Sequence, residues 1–101
     1  MLVENLTPPY YTAIFTSILK EHHPGYEEMA EKMVALAKQQ DGFLGIDSTR
    51  AEIGITVSYW RDLESLRAWG KNSEHLIAKQ KGKEEWYVKH ITRIAKVEME
   101  Y

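Results

Sequence analysis

The segment Tyr10 to Leu19 constrains the fold more than any other part of the chain. Tyr10, Tyr11, Thr12, Ile14, Phe15, Thr16 and Ile18 are all aromatic or β-branched, so the simplest expectation is a β-strand. Side chains of a strand alternate between its two faces, which puts Ala13, Phe15 and Leu19 on one side and Ile14 and Ile18 on the other. A strand that is apolar on both sides needs cover on both sides. Any fold for this chain must therefore place its first strand between two layers.

The rest of the chain supplies one of those layers. Met1 to Pro9 is polar, ends in Pro8-Pro9 and reads as an N-terminal arm over residues 1–9, ahead of a single domain over residues 10–101. After a loop from Lys20 to Gly25, apolar Tyr26, Met29, Ala30, Met33, Val34 and Ala37 recur at helical spacing. Glu27 and Glu28 open that helix, Lys38 lies in its last turn, as the helix dipole favours, and Asp41-Gly42 ends it. Phe43 to Arg50 and Ile53 to Trp60 read as two strands joined across Ala51-Glu52. Asp62 is the expected N-cap of a helix through Leu63, Leu66 and Trp69. Gly70 interrupts it, and Asn72-Ser73 caps a second segment that runs to about Gly82. A last strand is expected from about Tyr87 to Tyr101, with Val97, Met99 and Tyr101 on one parity.

The order is strand, helix, strand, strand, helix, strand. Split βαβ units of this kind make an α+β, ferredoxin-like βαββαβ domain, a four-stranded antiparallel sheet with its helices on one face. Nothing in the chain is left to cover the other face. An open sheet face carrying branched and aromatic side chains is a patch that monomers rarely tolerate, and the economical cover is a second copy, giving a homodimer.

Composition narrows the function classes. Lys and Arg number 13 against 15 Asp and Glu, a formal charge of −2, so no broad basic field exists to attract nucleic acid. The chain has no cysteine, which removes disulfides, thiolate nucleophiles and cysteine-held metals. No apolar run approaches the roughly 20 residues of a membrane span. The first residues lack the basic and apolar regions of a leader, so the cytoplasm is the expected compartment.

No free-standing catalytic motif is present. His22-His23 adjoins Pro24 without a partner at ligand spacing and reads as a solvated loop; no metal site is expected. Lys79, Lys81 and Lys83 read as a wet face, and no phosphate-binding glycine loop occurs. The stretch from Trp60 to Tyr87 is richer. Trp69 offers a flat wall, Asn72 a donor and an acceptor, and His75 a group that titrates near neutrality. On an unbroken helix the three would share one broad side. Together they have the composition of a small-molecule pocket between helix and sheet. The plainer alternative is that Trp69 is core, Asn72 a cap and His75 a half-buried surface residue.

Several segments here resemble antibiotic biosynthesis monooxygenase domains: Gly42 to Gly45 (GFLG), Ser48 to Arg50 (SxR), Gly54 to Trp60 (GITVSYW), the SLxxW ending in Trp69, His75, Trp86-Tyr87, and the VEMEY ending in Tyr101. The resemblance covers nearly all the chain after Pro9. It implies a dimeric α+β barrel and a pocket between sheet and helices, in which some members oxidise phenols with molecular oxygen and no metal or flavin, while others bind and degrade haem. The haem-degrading subgroup pairs an Asn on the first strand with a Trp and a His on the second helical region. Trp69 matches that Trp. His75 lies closer to it than the subgroup's His does, and the first strand holds no Asn, only Asn5 in the arm.

Three functions follow as expectations. One is a cofactor-independent monooxygenase acting on a small aromatic, with His75 as proton acceptor, Asn72 as orienting donor, Trp69 beside them, and Trp86, Trp60 and Phe15 lining the substrate pocket. Another is a haem protein with His75 as axial ligand. A third is a dimer that binds a small apolar ligand without chemistry, since a fold alone does not set function.

Overall fold

The protein's computed structural model describes residues 2–101. Its elements run β1 (Tyr10–Leu19), α1 (Tyr26–Ala37), β2 (Phe43–Arg50), β3 (Gly54–Trp60), α2 (Leu63–Lys71), α3 (Ser73–Lys81), a π-helical turn (Gly82–Trp86) and β4 (Tyr87–Val97). The four strands form one antiparallel sheet in the order β2-β3-β1-β4. This is the ferredoxin-like βαββαβ order, with the second helical region divided into α2, α3 and the π turn. None of the helices is long and apolar enough to cross a membrane, among the described residues.

Local chemistry explains the element ends. Gly25 precedes α1 at φ 81°, a left-handed conformation that glycine adopts without penalty. The Asp62 side chain accepts from the Ser65 N–H at 2.8 Å and starts α2. Two boundaries differ from the sequence reading. The helix does not break at Gly70, where an added Cβ would meet nothing within 4 Å, but at Asn72, whose backbone is extended at ψ 130°. Asn72 Oδ1 accepts from the N–H groups of Glu74 and His75 at 3.0 and 3.1 Å; its side chain pairs the first donors of α3 and so restarts the helix. The last strand stops at Val97 and not at Tyr101. Val97 pairs with Tyr10, the first residue of β1, so Met99 and Tyr101 have no ladder partner to extend against. Glu100 instead accepts from the Tyr10 hydroxyl at 2.7 Å.

The packed core sits at one end of the sheet–helix layer. Ala37, Trp60, Leu66 and Trp69 are buried together, with Met33, Leu36 and Phe43 against them. Trp60 meets Phe43 edge to face at 5.5 Å and stacks on Trp69 at 6.0 Å. An indole buries on the order of 200 Å², worth about 5 kcal/mol at 25 cal/mol per Å², so these two tryptophans anchor α2 to the sheet.

The opposite sheet face carries Ile14 and Ile18 from β1 and Ile55, Val57 and Tyr59, the more apolar parity of β3. One end of it is closed. Tyr10 and Thr12 are buried there, the Val3 N–H donates to Asp47 at 2.9 Å, and Val3 lies against Gly45, where a Cβ would be displaced. The other end is bare, with Ile18, Ile53, Ile55 and Ile91 exposed by 40–51%.

Candidate active site

Away from the tryptophan core, sheet and helices part to leave a cavity of about 410 Å³, within the roughly 300–1,000 Å³ of small-molecule sites. Its existence follows from side-chain size. The strands send Ala13, Ser48, Thr56, Ser58 and Thr92 toward the helices beside the larger Phe15, Ile46 and Ile94, and the small residues leave the layer unfilled. Met29 and Met33 of α1 roof it, Trp69 and His75 form one wall, and Phe15, Trp86 and Tyr87 line it with His90.

His75 is the best-defined polar group in this wall. Because α3 restarts at Asn72, its imidazole folds back onto the Trp69 indole, with ring centroids 4.1 Å apart and planes 13° from parallel. Nδ1 lies 2.9 Å from the Trp69 carbonyl oxygen. A carbonyl only accepts, so Nδ1 carries the proton, and in the neutral ring Nε2 holds the free lone pair. Burial lowers the His75 pKa below the ordinary imidazole value; the Trp69 carbonyl opposes this and nearby Lys79 adds to it. At neutral pH His75 is therefore an uncharged base in a mostly apolar cavity.

At another part of the lining, Tyr26 packs edge to face with Trp86 at 5.7 Å and with Tyr87 at 5.9 Å. Trp86 is held by its indole N–H, which donates to the Pro24 carbonyl at 2.9 Å. The π turn places Trp86 and Tyr87 here, and a Cβ at Gly82 would stand 2.6 Å from the Tyr87 ring. Burial, followed by its neighbour Tyr26, raises the Tyr87 hydroxyl well above the ordinary phenol range, so Tyr87 stays protonated.

Of the residues expected to form a site, the structure brings Trp69, His75, Trp86 and Phe15 to one cavity. Two expectations are corrected. Asn72 is not among the residues that line the cavity; it sits at the helix break, where its side-chain oxygen caps α3. Trp60 is no pocket wall; it is fully buried in the core, on the far side of Trp69 from His75. Lys79 is exposed, as a wet face requires, and also borders the cavity. Tyr26, Tyr87 and His90 were not foreseen as site residues; the aromatic pair Trp86-Tyr87 directly before a strand was the available signal for Tyr87. The Asn, Trp and His set of the haem-degrading subgroup is not completed here, since β1 lines the cavity with Ala13 and Phe15 and the His75 ring lies flat on Trp69.

Residues 13–97 match the family described as Monooxygenase af470-like. The chain is 47% identical over 93 residues to YqjZ, an uncharacterized protein of Bacillus subtilis, covering 90% of this chain and 82% of that one. In three dimensions it resembles SnoaB, a cofactor-independent oxygenase from Streptomyces nogalater, with a TM-score of 0.78 at 11% identity over 92% of this chain and 97% of that one. It also resembles PA3566 from Pseudomonas aeruginosa, with a TM-score of 0.72 at 20% identity over 96% of this chain and all of the other. At such identities the structural likeness is one of fold.

Proposed function

This chain belongs to the Monooxygenase af470-like family, and on that premise we propose that it inserts oxygen into a small phenolic aromatic without metal or flavin. The observation that carries the reading is His75, a half-buried neutral base with its Nδ1 proton committed to Trp69, in the wall of an apolar cavity of ligand size. A phenol is a weak electron donor until it loses its proton, whereas the phenolate is electron-rich enough to reduce oxygen itself. The protein then needs to supply a base, a dry pocket and hydrogen bonds to the anion.

Nε2 of His75 accepts the phenolic proton. A ring carbon of the phenolate passes an electron to dioxygen, and the radical pair combines to form a carbon–peroxide bond. The hydrogen on that carbon passes as a proton to the distal peroxide oxygen while its electron pair forms the ring carbonyl, and the O–O bond breaks to release hydroxide. The hydroxide released takes the proton from His75 and departs as water. One oxygen atom ends in the quinone and the other in water. Trp69, Trp86 and Phe15 serve as apolar walls that hold a flat ring and exclude solvent.

The same reading includes a homodimer through the bare half of the open sheet face. Ile18, Ile53, Ile55 and Ile91 cluster there, and a second copy of the same patch is its simplest apolar complement.

Oxygen uptake on mixing the protein with a panel of polycyclic phenols tests the activity. Uptake with quinone formation in equal amount, abolished by His75→Gln, is the expected result. No uptake with any of them, or the same uptake without His75, rejects the proposal.

A further inference from the structure

Arg50 ends β2 opposite Gly54 of β3, which in turn pairs with Ser17 of β1. With no side chain at Gly54, the guanidinium lies across β3 and reaches the next strand. One nitrogen donates to the Ser17 hydroxyl at 2.5 Å, and another meets the Ser17 carbonyl at 3.4 Å. It also donates to the Tyr26 hydroxyl at 3.3 Å, with the guanidinium carbon 5.4 Å from the Tyr26 ring centroid. Arg50 is half-buried, and its partners here are all neutral. No carboxylate lies within ion-pair reach of it among the described residues. A cation drawn into a protein is ordinarily paired, because burial without a counter-charge is costly.

Tyr26 connects this cation to the cavity it lines. Its oxygen accepts from Arg50, and the protonated Tyr87 hydroxyl beside it can donate to the same oxygen, which leaves the Tyr26 O–H as a donor. A hydroxyl that accepts from a cation is in turn a stronger donor, because linked hydrogen bonds polarise one another. We propose that the Tyr26 hydroxyl, backed by Arg50, holds an ionised oxygen of the cavity's phenolic ligand other than the one that His75 deprotonates. The ligand thus brings the negative charge that the protein does not supply. Tyr26 touches substrate, while Arg50 is a positioning residue that acts through it. This rests on the reading of the cavity as a phenol site. The remaining titratable groups of the lining are His75, Lys79, Tyr87 and His90, of which Lys79 is the competing cation.

Para-nitrophenol is a suitable probe because its ionised form is yellow, so the pH at which it ionises when bound can be read directly without turnover. Its methyl ether, which cannot ionise, reports whether the pocket is intact. The wild-type protein should bind the ionised probe at least about tenfold more tightly than the neutral form, which lowers the apparent pKa of the bound probe by about one unit. Tyr26→Phe and Arg50→Met should each abolish that preference while binding the methyl ether as before. Arg50→Lys should restore part of it, and Lys79→Gln should leave it unchanged. Absence of the preference in wild type, its survival in Tyr26→Phe, or its loss in Lys79→Gln alone overturns the assignment. An intact preference without oxygen uptake supports this subsite while removing the oxygenase reading; intact uptake without the preference removes the subsite alone.

Discussion

The guanidinium of Arg50 occupies the space in which a side chain at Gly54 would begin. The two residues close the β2–β3 hairpin as a cross-strand pair, and the glycine is what lets the longer side chain lie flat across the sheet to Ser17 and Tyr26.

Gly54→Ala should therefore act at a distance. The added methyl must displace Arg50, costing roughly 1–3 kcal/mol as overpacking of a tight site does. Urea unfolding should show a lower midpoint with an unchanged slope, and the Arg50 contact to Tyr26 should be lost with it. An alanine variant as stable as wild type would show that the guanidinium has another equally good position.

His75 sets the expected pH dependence. Burial holds its pKa below the ordinary value of about 6.5, so the folded protein takes up this proton less readily than the unfolded chain. The sign follows from linkage: this contribution to stability is complete above about pH 6.5 and is lost as the pH falls through the folded-state value. Activity that needs neutral His75 should be level through neutral pH and fall only on acidification. A pH profile of kcat/KM checks this, and a rate that stays level on acidification would exclude His75 as the base.

Asn72→Ala removes the acceptor for two N–H groups of α3 and should cost about 0.5–2 kcal/mol, the usual loss for an N-cap. Asn72→Asp keeps the acceptor and should retain most of the stability. If Asn72 acts only through the helix break, phenol-dependent oxygen uptake by the aspartate variant should match wild type. A large loss there with stability preserved would return Asn72 to the chemistry.

Ile55→Lys places a charge in the middle of the bare isoleucine patch, at a position 41% exposed in the single chain. A charge buried in an apolar interface without a partner is strongly unfavourable, so this variant should sediment as a monomer at concentrations where wild type sediments as a dimer. Identical sedimentation of the two proteins would place the dimer contact elsewhere or remove it.

Gly82→Ala tests the link between the π turn and the cavity. The new methyl would press on the Tyr87 ring, and since Gly82 has ordinary helical angles of φ −59° and ψ −47°, backbone strain plays no part. The expected outcome is an altered affinity for an aromatic ligand at roughly unchanged helix content, read by fluorescence titration of the nearby Trp86 and by circular dichroism. Unchanged affinity would show that Tyr87 moves without consequence.

Some of these features were legible in the residues. Periodicity located β1, β2, β3 and the start of α1 to within a residue, because a two-layer sheet–helix domain imposes a period on each element, while α1 ends at Ala37, short of Asp41-Gly42. The break before α3 was also written locally, in an Asn followed by Ser and Glu. Its consequence was not. On a continuous helix Trp69, Asn72 and His75 fan across one side; restarting the helix at Asn72 turns the amide into a cap and lays the imidazole on the indole. Trp60 and Trp69 look alike as aromatic residues near helix and strand ends, and only their neighbours distinguish core from cavity wall.

Alternation alone established that β1 is apolar on both sides and that the sheet has a face its own helices leave uncovered, because a strand's two-residue period is a property of the backbone. Which parity of β3 faces the helices is decided by the tertiary packing, and it is the small hydroxyl-bearing one, which is why a cavity exists. The meeting of Arg50, Ser17 and Tyr26 from three elements, and of His75 with Trp69 across a helix break, depends on the distances that the folded layers impose. No local pattern encodes those distances, since each side chain is positioned by elements far from it in the chain.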